Sequence, residues 1–498
     1  MNLYMLCREA GIPIPSDAPD VEIGAIRTDS RKVTRGDLFV CIRGMSVDGH
    51  DFAAQAVAQG AAAIIVEKEV AEFSRSALII LVENTRHTAA LLYDAWYGHP
   101  SRGMKLIAVT GTNGKTSVSY MIRAILEGSL YRCGLIGTVR CYSAGKPLEI
   151  RSENPLANLT TPDPEELYRM LSVMAADGVE YVVMEASSHA LALGKLDALF
   201  FEAAVFTNLT QEHLDFHGNM ENYFFAKAQL FSKCKRAIIN LDDAYGARLA
   251  QMVSCQKTTC SQAGRTADFC AEEIRNLGVK GSAYSVVAKN LRFSLHTPIS
   301  GKFSVINTLQ AVACASTLGI SPSVIVSALS SLVGVEGRLE AVRLGGISDF
   351  SVFIDYAHTP DALQNLLETV REFCDTDGRI VLVFGCGGDR DRKKRPMMGR
   401  IASTLADFCI VTSDNSRGEE PMAIIEEILA GIVPTAPLAV IPDRAEAIDY
   451  AIENAKRGDV ILLAGKGHEE YEIDKEGKHP FCEKELVREA FLRHWSEK

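Results

Sequence analysis

Lys105-Leu-Ile-Ala-Val-Thr-Gly-Thr-Asn-Gly-Lys-Thr116 decides how the rest of the chain is read. Its first half is apolar and rich in β-branched residues, the mark of a short buried strand; a Gly turn follows, and Ser117 to Leu126 has helical periodicity. A strand that passes into a helix through such a turn is the setting of a phosphate-cradling loop. Gly111 and Gly114 let backbone N–H groups of Thr112, Asn113 and Ser117 approach an anion at the helix N-terminus. Lys115 can then neutralise β/γ oxygens, and the Thr116 hydroxyl can reach Mg²⁺. Val109 stands where the longer form of this motif has Gly, so the string by itself also fits a Gly-rich turn with a solvated lysine.

Outward from the loop, strand and helix signals alternate. Asp163-Pro164 opens a helix, with Glu166 spaced for a capping box; Gly178 ends it, and Tyr181 to Met184 is a buried strand. Before the loop, strands at Asp37 to Ile42 and Ala62 to Val66 and helices at Phe52 to Ala58 and Thr85 to Tyr97 make a small unit that stops at Gly98 and Pro100. From about residue 340 the rhythm restarts, with strands at Val352 to Asp355, Ile380 to Phe384, Phe408 to Thr412, Leu438 to Ile441 and Val460 to Ala464. The fold class is α/β with parallel sheets, divided into domains at 1–100, 101–335 and 336–498.

At 498 residues the chain exceeds what one core usually supports, and 47% hydrophobic with 23% charged residues is globular composition. A net charge of -11 argues against nucleic acid as a partner. No leader is visible at Met1 to Asp17 and no run is long enough to span a bilayer, so a cytoplasmic protein without membrane insertion is expected. The 13 cysteines are scattered and read as reduced thiols.

The shortened loop, Met184-Glu-Ala-Ser-Ser-His-Ala-Leu191, Thr207-Asn-Leu-Thr-Gln-Glu-His-Leu-Asp-Phe-His-Gly218 and Asp355-Tyr-Ala-His-Thr-Pro360 together resemble the Mur ligase superfamily, which also holds the folylpolyglutamate synthetases. Gly465-Lys-Gly-His-Glu469 resembles its tripeptide-forming branch. The resemblance spans almost the whole chain. It implies a three-domain architecture with a central P-loop ATPase-like parallel sheet and a C-terminal Rossmann-like domain. It also implies a monomeric bacterial enzyme that uses ATP and Mg²⁺ to extend a UDP-linked muramoyl dipeptide in cell-wall synthesis.

Residue by residue, the resemblance makes Glu185 and His213 metal ligands and Lys227 a carbamylated lysine whose carbamate binds Mg²⁺. Taken alone, the first two are as readily structural polar groups, and Lys227 a lysine with its stem on a core and its head in water. A desolvated lysine, however, can be neutral and add CO₂. The resemblance also assigns Asn307, Arg338, Asp355 and His358 to ATP. Ser30 is assigned to uridine, and Asn158, Thr160, Thr161 and Ser187 to the muramoyl peptide. The family's Gln and Arg beyond the Ser-Ser-His run are Leu193 and Lys195 here, which puts those two contacts in doubt.

The added amine is read from Asp414-Asn415-Ser416-Arg417, similar to the Asp-Asn-Pro-Arg of diaminopimelate-adding members, with Arg390, Gly465 and Glu469 completing the set. Diaminopimelate carries a distal carboxylate that a guanidinium can meet with two parallel hydrogen bonds, and lysine does not. Ser416 in place of Pro frees φ, which leaves lysine as the alternative substrate. The rival readings are a sister ligase and a nucleotide-dependent switch that binds ATP without making a product.

Overall fold

A computed structural model describes residues 1–14, 21–44, 47–68, 77–148, 159–277, 280–299, 302–332, 334–344, 348–374, 378–435 and 437–495. The strand Lys105–Thr110 is fully flanked: Phe201–Phe206 and Tyr181–Glu185 pair with it in parallel, and Cys234–Asn240 and Cys133–Ile136 lie outside those. Its apolar run follows from coverage on both faces. Leu106 and Ala108 enter one core while Ile107 and Val109 enter another, the second sealed by the helices Lys115–Gly128 and Lys302–Thr317. The register sets Val109 against Glu185, so the phosphate loop and the Glu185 carboxyl leave the same edge of the sheet.

This central sheet has eleven strands, and on one side it runs into antiparallel hairpins at Phe269–Asn276, Ser282–Ala288 and Leu291–Thr297. A four-stranded parallel sheet precedes it, in the order Ile26–Arg27, Leu38–Val40, Ala63–Val66, Leu78–Leu81. A six-stranded sheet follows it, with Val460–Ala464 inserted between Ser351–Asp355 and Ile380–Phe384, then Phe408–Val411 and Leu438–Val440. Only its edge strand Glu340–Ala341 is antiparallel. The C-terminal ends of four of these parallel strands release the segments after Asp355, Phe384, Val411 and Ala464, where open α/β sheets gather ligands.

The helix Pro164–Ala176 starts where Asp163-Pro164 places it, but no capping box forms. Asp163 makes no cap bond; its carboxylate lies 2.8 Å from Lys195 Nζ, and an ammonium is a stronger partner than a backbone N–H. All thirteen cysteines are free thiols. Among the described residues, no helix is long and apolar enough to cross a membrane.

Candidate active site

Two glycines of the loop are dictated by close approach. A Cβ at Gly111 (φ 147°) would lie 1.8 Å from Thr207 Oγ1, and one at Gly114 (φ 85°) 2.7 Å from Asn307 Oδ1. Asn113 N–H donates to Asn208 Oδ1 at 2.9 Å, and the Thr207 hydroxyl to Asn113 O at 2.6 Å, so the following strand end shapes the loop. Thr112 Oγ1 is engaged with Tyr223 and Thr210. Lys115 Nζ donates to the carbonyls of Gly111 and Thr112 at 2.9 and 2.7 Å. Lys227, on the helix Met220–Ala228, is 1% exposed and donates to the same Gly111 carbonyl at 2.8 Å. Burial, reinforced by the Lys115 charge, pulls its amine well below the usual lysine range.

Glu185 is fully buried and accepts from the Thr116 hydroxyl at 3.1 Å and from the Thr138 hydroxyl and N–H at 3.0 Å each. Thr138, which sequence reasoning did not single out, passes this contact to Thr160 at 3.1 Å. Gly137 makes room, since a Cβ there would meet Glu185 Oε1 at 2.4 Å. Thr161 donates to the Glu185 carbonyl at 2.7 Å and Ser187 caps the helix Ser188–Ala192, so both brace the end of the strand. His213 stands apart from Glu185's hydrogen bonds. It adopts φ 55° and points Nε2 toward Glu212 at 3.6 Å, within a ring cluster with His189 and Tyr223. Among the described residues no group of three or more His, Cys, Asp or Glu converges on one point. The Thr116 hydroxyl and Glu185 carboxylate are nonetheless hard oxygen donors in mutual contact, a set that suits Mg²⁺ completed by phosphate and water.

A cavity of about 410 Å³ lies between the loop and the last sheet, lined by Asn113, Gly114, Ser117, Asn307, Arg338 and Asp355. Asp355 accepts from the N–H groups of Leu339 and Ala357 at 2.7 and 2.8 Å, which fixes the turn carrying Arg338. Arg338 then reaches Thr116 Oγ1 at 3.3 Å across the boundary. A second bridge was not anticipated: Asp361 accepts from Asn113 Nδ2 at 2.6 Å and Thr210 Oγ1 at 3.1 Å. Nothing in the sequence sets Asp361 apart from a first-turn helix carboxylate.

His358 lines a neighbouring cavity of about 230 Å³ rather than the first one. Burial and the Lys394 charge push its imidazole down to about 4. Arg390, Asp414, Asn415, Arg417, Gly465 and Glu469 all reach this second cavity, from three different strand ends. Both guanidiniums line it, and burial and then the Arg417 charge lower Arg390. A Cβ at Gly387 would lie 2.8 Å from Arg417 Nη1 and one at Gly465 2.6 Å from Asp414 Oδ2, so a side chain at either position would displace a group of this wall. Ser416 is buried beneath the wall, and Arg417 is pinned at φ 51° with its N–H on Ile473 O at 3.0 Å. The register of Arg417 therefore does not need a proline before it. Glu212, also missed in the sequence, lines this cavity, and Lys115 and His213 draw its carboxyl below the usual range against the cost of burial.

Family models match three stretches: the Mur ligase family catalytic domain over 22–95, the Mur ligase middle domain over 109–315, and the Mur ligase glutamate ligase domain over 337–467. The chain belongs to the Mur ligase family. UDP-N-acetylmuramoyl-L-alanyl-D-glutamate–2,6-diaminopimelate ligase of Gloeobacter violaceus is 43% identical, covering 100% of this chain and 99% of its own. The ligase of the same name from Syntrophomonas wolfei is 41% identical over 98% and 99%. A solved structure of a UDP-N-acetylmuramoyl-L-alanyl-D-glutamate–2,6-diaminopimelate ligase superposes with a TM-score of 0.68 at 32% identity, covering 99% of each chain. As a Mur ligase, the chain is an ATP-dependent ligase with ATP as co-substrate.

In this Mur ligase a third cavity, of about 440 Å³, opens between the first two sheets and is lined by Thr28, Lys32, Arg86, Arg169, Leu193 and Lys195. Ser30 is buried on the short turn Ser30–Lys32 between the first two of these. Lys195 pairs with Asp163 on the rim, and Lys32, Arg86 and Arg169 also line the space. Asn158 lies outside the described residues.

Proposed function

We propose that the chain joins an amino group of meso-2,6-diaminopimelate to the D-Glu γ-carboxylate of UDP-N-acetylmuramoyl-L-alanyl-D-glutamate, consuming ATP and releasing ADP and phosphate. The first cavity takes ATP, with its phosphates on the 111–117 loop, Lys115 against the β/γ oxygens and Asn307 and Arg338 alongside. The third takes the UDP moiety, near Ser30, and directs the peptide past Ser187, Thr160 and Thr161 toward Glu185. The second takes diaminopimelate. We divide the enzyme at residues 100 and 335, and one chain carries all three cavities, so a monomer suffices. A nucleotide-linked precursor and ATP as substrates support a reaction in the bacterial cytoplasm.

The γ-carboxylate attacks the γ-phosphorus and ADP leaves, which gives an acyl phosphate. The amine then attacks the carbonyl carbon through a tetrahedral intermediate, and phosphate departs. Thr116 and Glu185 would hold one Mg²⁺ and His213 would help hold a second ion, with a carbamate on Lys227 as a further Mg²⁺ ligand; when bound, the metal neutralises charge on the transferring phosphoryl group. Lys227 supports this role because burial holds its amine well below the usual lysine range, which favours the neutral form that adds CO₂. Lys115 adds positive charge already in place before the reaction.

The observation that carries the choice of amine is the arrangement in the second cavity, with Arg390 and Arg417 beside Asp414 and Glu469. Two guanidiniums suit a molecule with two carboxylates, and the acids suit its ammonium groups. Offering diaminopimelate and lysine separately with the UDP-dipeptide and MgATP tests this. ADP release with diaminopimelate is expected; equal or better kcat/KM with lysine, or no release with either, would overturn it.

A further inference from the structure

We infer that Lys466 is a positioning residue for the amino-acid substrate: its ammonium fixes the Asn415 amide in one orientation, and through that amide the carboxylate of Glu469 at the cavity wall. The inference deepens the proposed function and rests on the second cavity being the amino-acid site.

Lys466 follows the strand Val460–Ala464 and is fully buried. An ammonium without water must find acceptors in the protein. Its Nζ donates to Asn415 Oδ1 and to Tyr471 O, both at 3.1 Å, and lies 5.1 Å from the centre of the Phe481 ring. Ile473 N–H donates to the same Asn415 oxygen at 2.9 Å. Two donors on one side of the amide leave a single orientation, because a flip would set its NH₂ against an ammonium and an N–H. The amide nitrogen must then face Glu469, and it donates to Glu469 Oε2 at 2.7 Å.

The charge of Lys466 serves the same end. Glu469 is held above the usual carboxyl range by burial and by the Asp414 charge, which Lys466 opposes. Asp414 is itself buried, yet Lys466 and Arg444 keep it below its ordinary value. One buried cation thus lets two carboxylates stand side by side where an incoming ammonium needs acceptors, and it does so without touching that ammonium.

The test uses the full chain with the UDP-dipeptide, ATP and diaminopimelate as varied substrates. Lys466→Met should raise KM for diaminopimelate by about tenfold or more, the loss of a hydrogen bond to a charged group. KM for ATP and for the UDP-dipeptide should stay within about twofold. Asn415→Asp is close to isosteric and keeps an acceptor toward Lys466, but it sets an acceptor against Glu469; it should give the same selective rise, and it decides the matter if Lys466→Met fails to fold. In an Asn415→Ala background, Lys466→Met should add clearly less than it does in the wild type, because the amide it acts through is gone and only its charge on Asp414 and Glu469 remains to be lost. An Asn415→Asp enzyme with unchanged KM for diaminopimelate, equal rises in all three KM values, or full additivity in the double variant would overturn the inference. A wild type that uses a different amino acid would overturn the proposed function instead, and the relay is then read on the KM of that amino acid.

Discussion

Lys115 and Lys227 aim their side-chain nitrogens at one atom, the carbonyl oxygen of Gly111, from 2.9 and 2.8 Å. Two ammonium groups on one oxygen repel each other, and burial together with the Lys115 charge holds the Lys227 amine well below the usual lysine range.

Lys115→Ala should lower kcat by about a hundred- to a thousandfold, the range for removing one preorganised charge from a transition state. The melting temperature should change little, since Lys115 bonds only to loop carbonyls that water can satisfy. ADP release by the variant at close to the wild-type rate would contradict the role.

Lys227→Ala should also be inactive while remaining folded. Added short carboxylic acids should restore part of the activity, because they can supply the oxygen donors of the missing carbamate. Titration with acetate and formate checks this, and a flat response removes the support for carbamylation.

Asp361→Ala removes the acceptor of Asn113 and Thr210 and loosens the last sheet from the phosphate loop. KM for ATP should rise about tenfold, as for loss of hydrogen bonds to a charged group, and small-angle scattering should report a larger mean radius. An unchanged radius with unchanged KM would show that Arg338 alone holds the contact.

Arg417→Ala should raise KM for diaminopimelate roughly ten- to a hundredfold, corresponding to about 1.5–3 kcal/mol for a charged hydrogen bond, with KM for ATP nearly constant. Equal effects on both substrates would remove Arg417 from the amino-acid site.

Stability should fall as the solution is acidified from about pH 6.5 toward 4. His189, His217, His358 and His468 are each lowered from 6.5 to about 4, burial being the largest cause. In that window the unfolded chain takes up protons that the folded one refuses, so protonation favours unfolding; above the window the effect vanishes. Melting curves across pH check the sign, and His468→Gln should flatten the slope.

Strands of the parallel sheets were legible because burial on both faces writes them as unbroken apolar runs: Lys105–Thr110, Ile380–Phe384 and Val460–Ala464 have the bounds their sequence predicts. The strands Phe269–Asn276 and Leu291–Thr297 were not, since much of each faces water and charged residues interrupt the apolar pattern. Much of the site was readable from Gly, Lys and Arg in fixed spacings. Thr138, Glu212 and Asp361 were not, because each is brought to the candidate site by neighbours far away in sequence, and a lone Thr, Glu or Asp carries no mark of that. The capping box at Asp163 failed for the same reason: Lys195, distant in the chain, claims the carboxylate.

The wall of the second cavity is shared. Gln211, Glu212, His213 and Asp215 come from the central sheet, while Arg390, Asp414, Arg417 and Glu469 come from the last one. Neither sheet alone supplies the whole berth. Arg338 and Asp361 tie the last sheet to the phosphate loop, so the contacts that shape the first cavity also hold the two halves of the second one together.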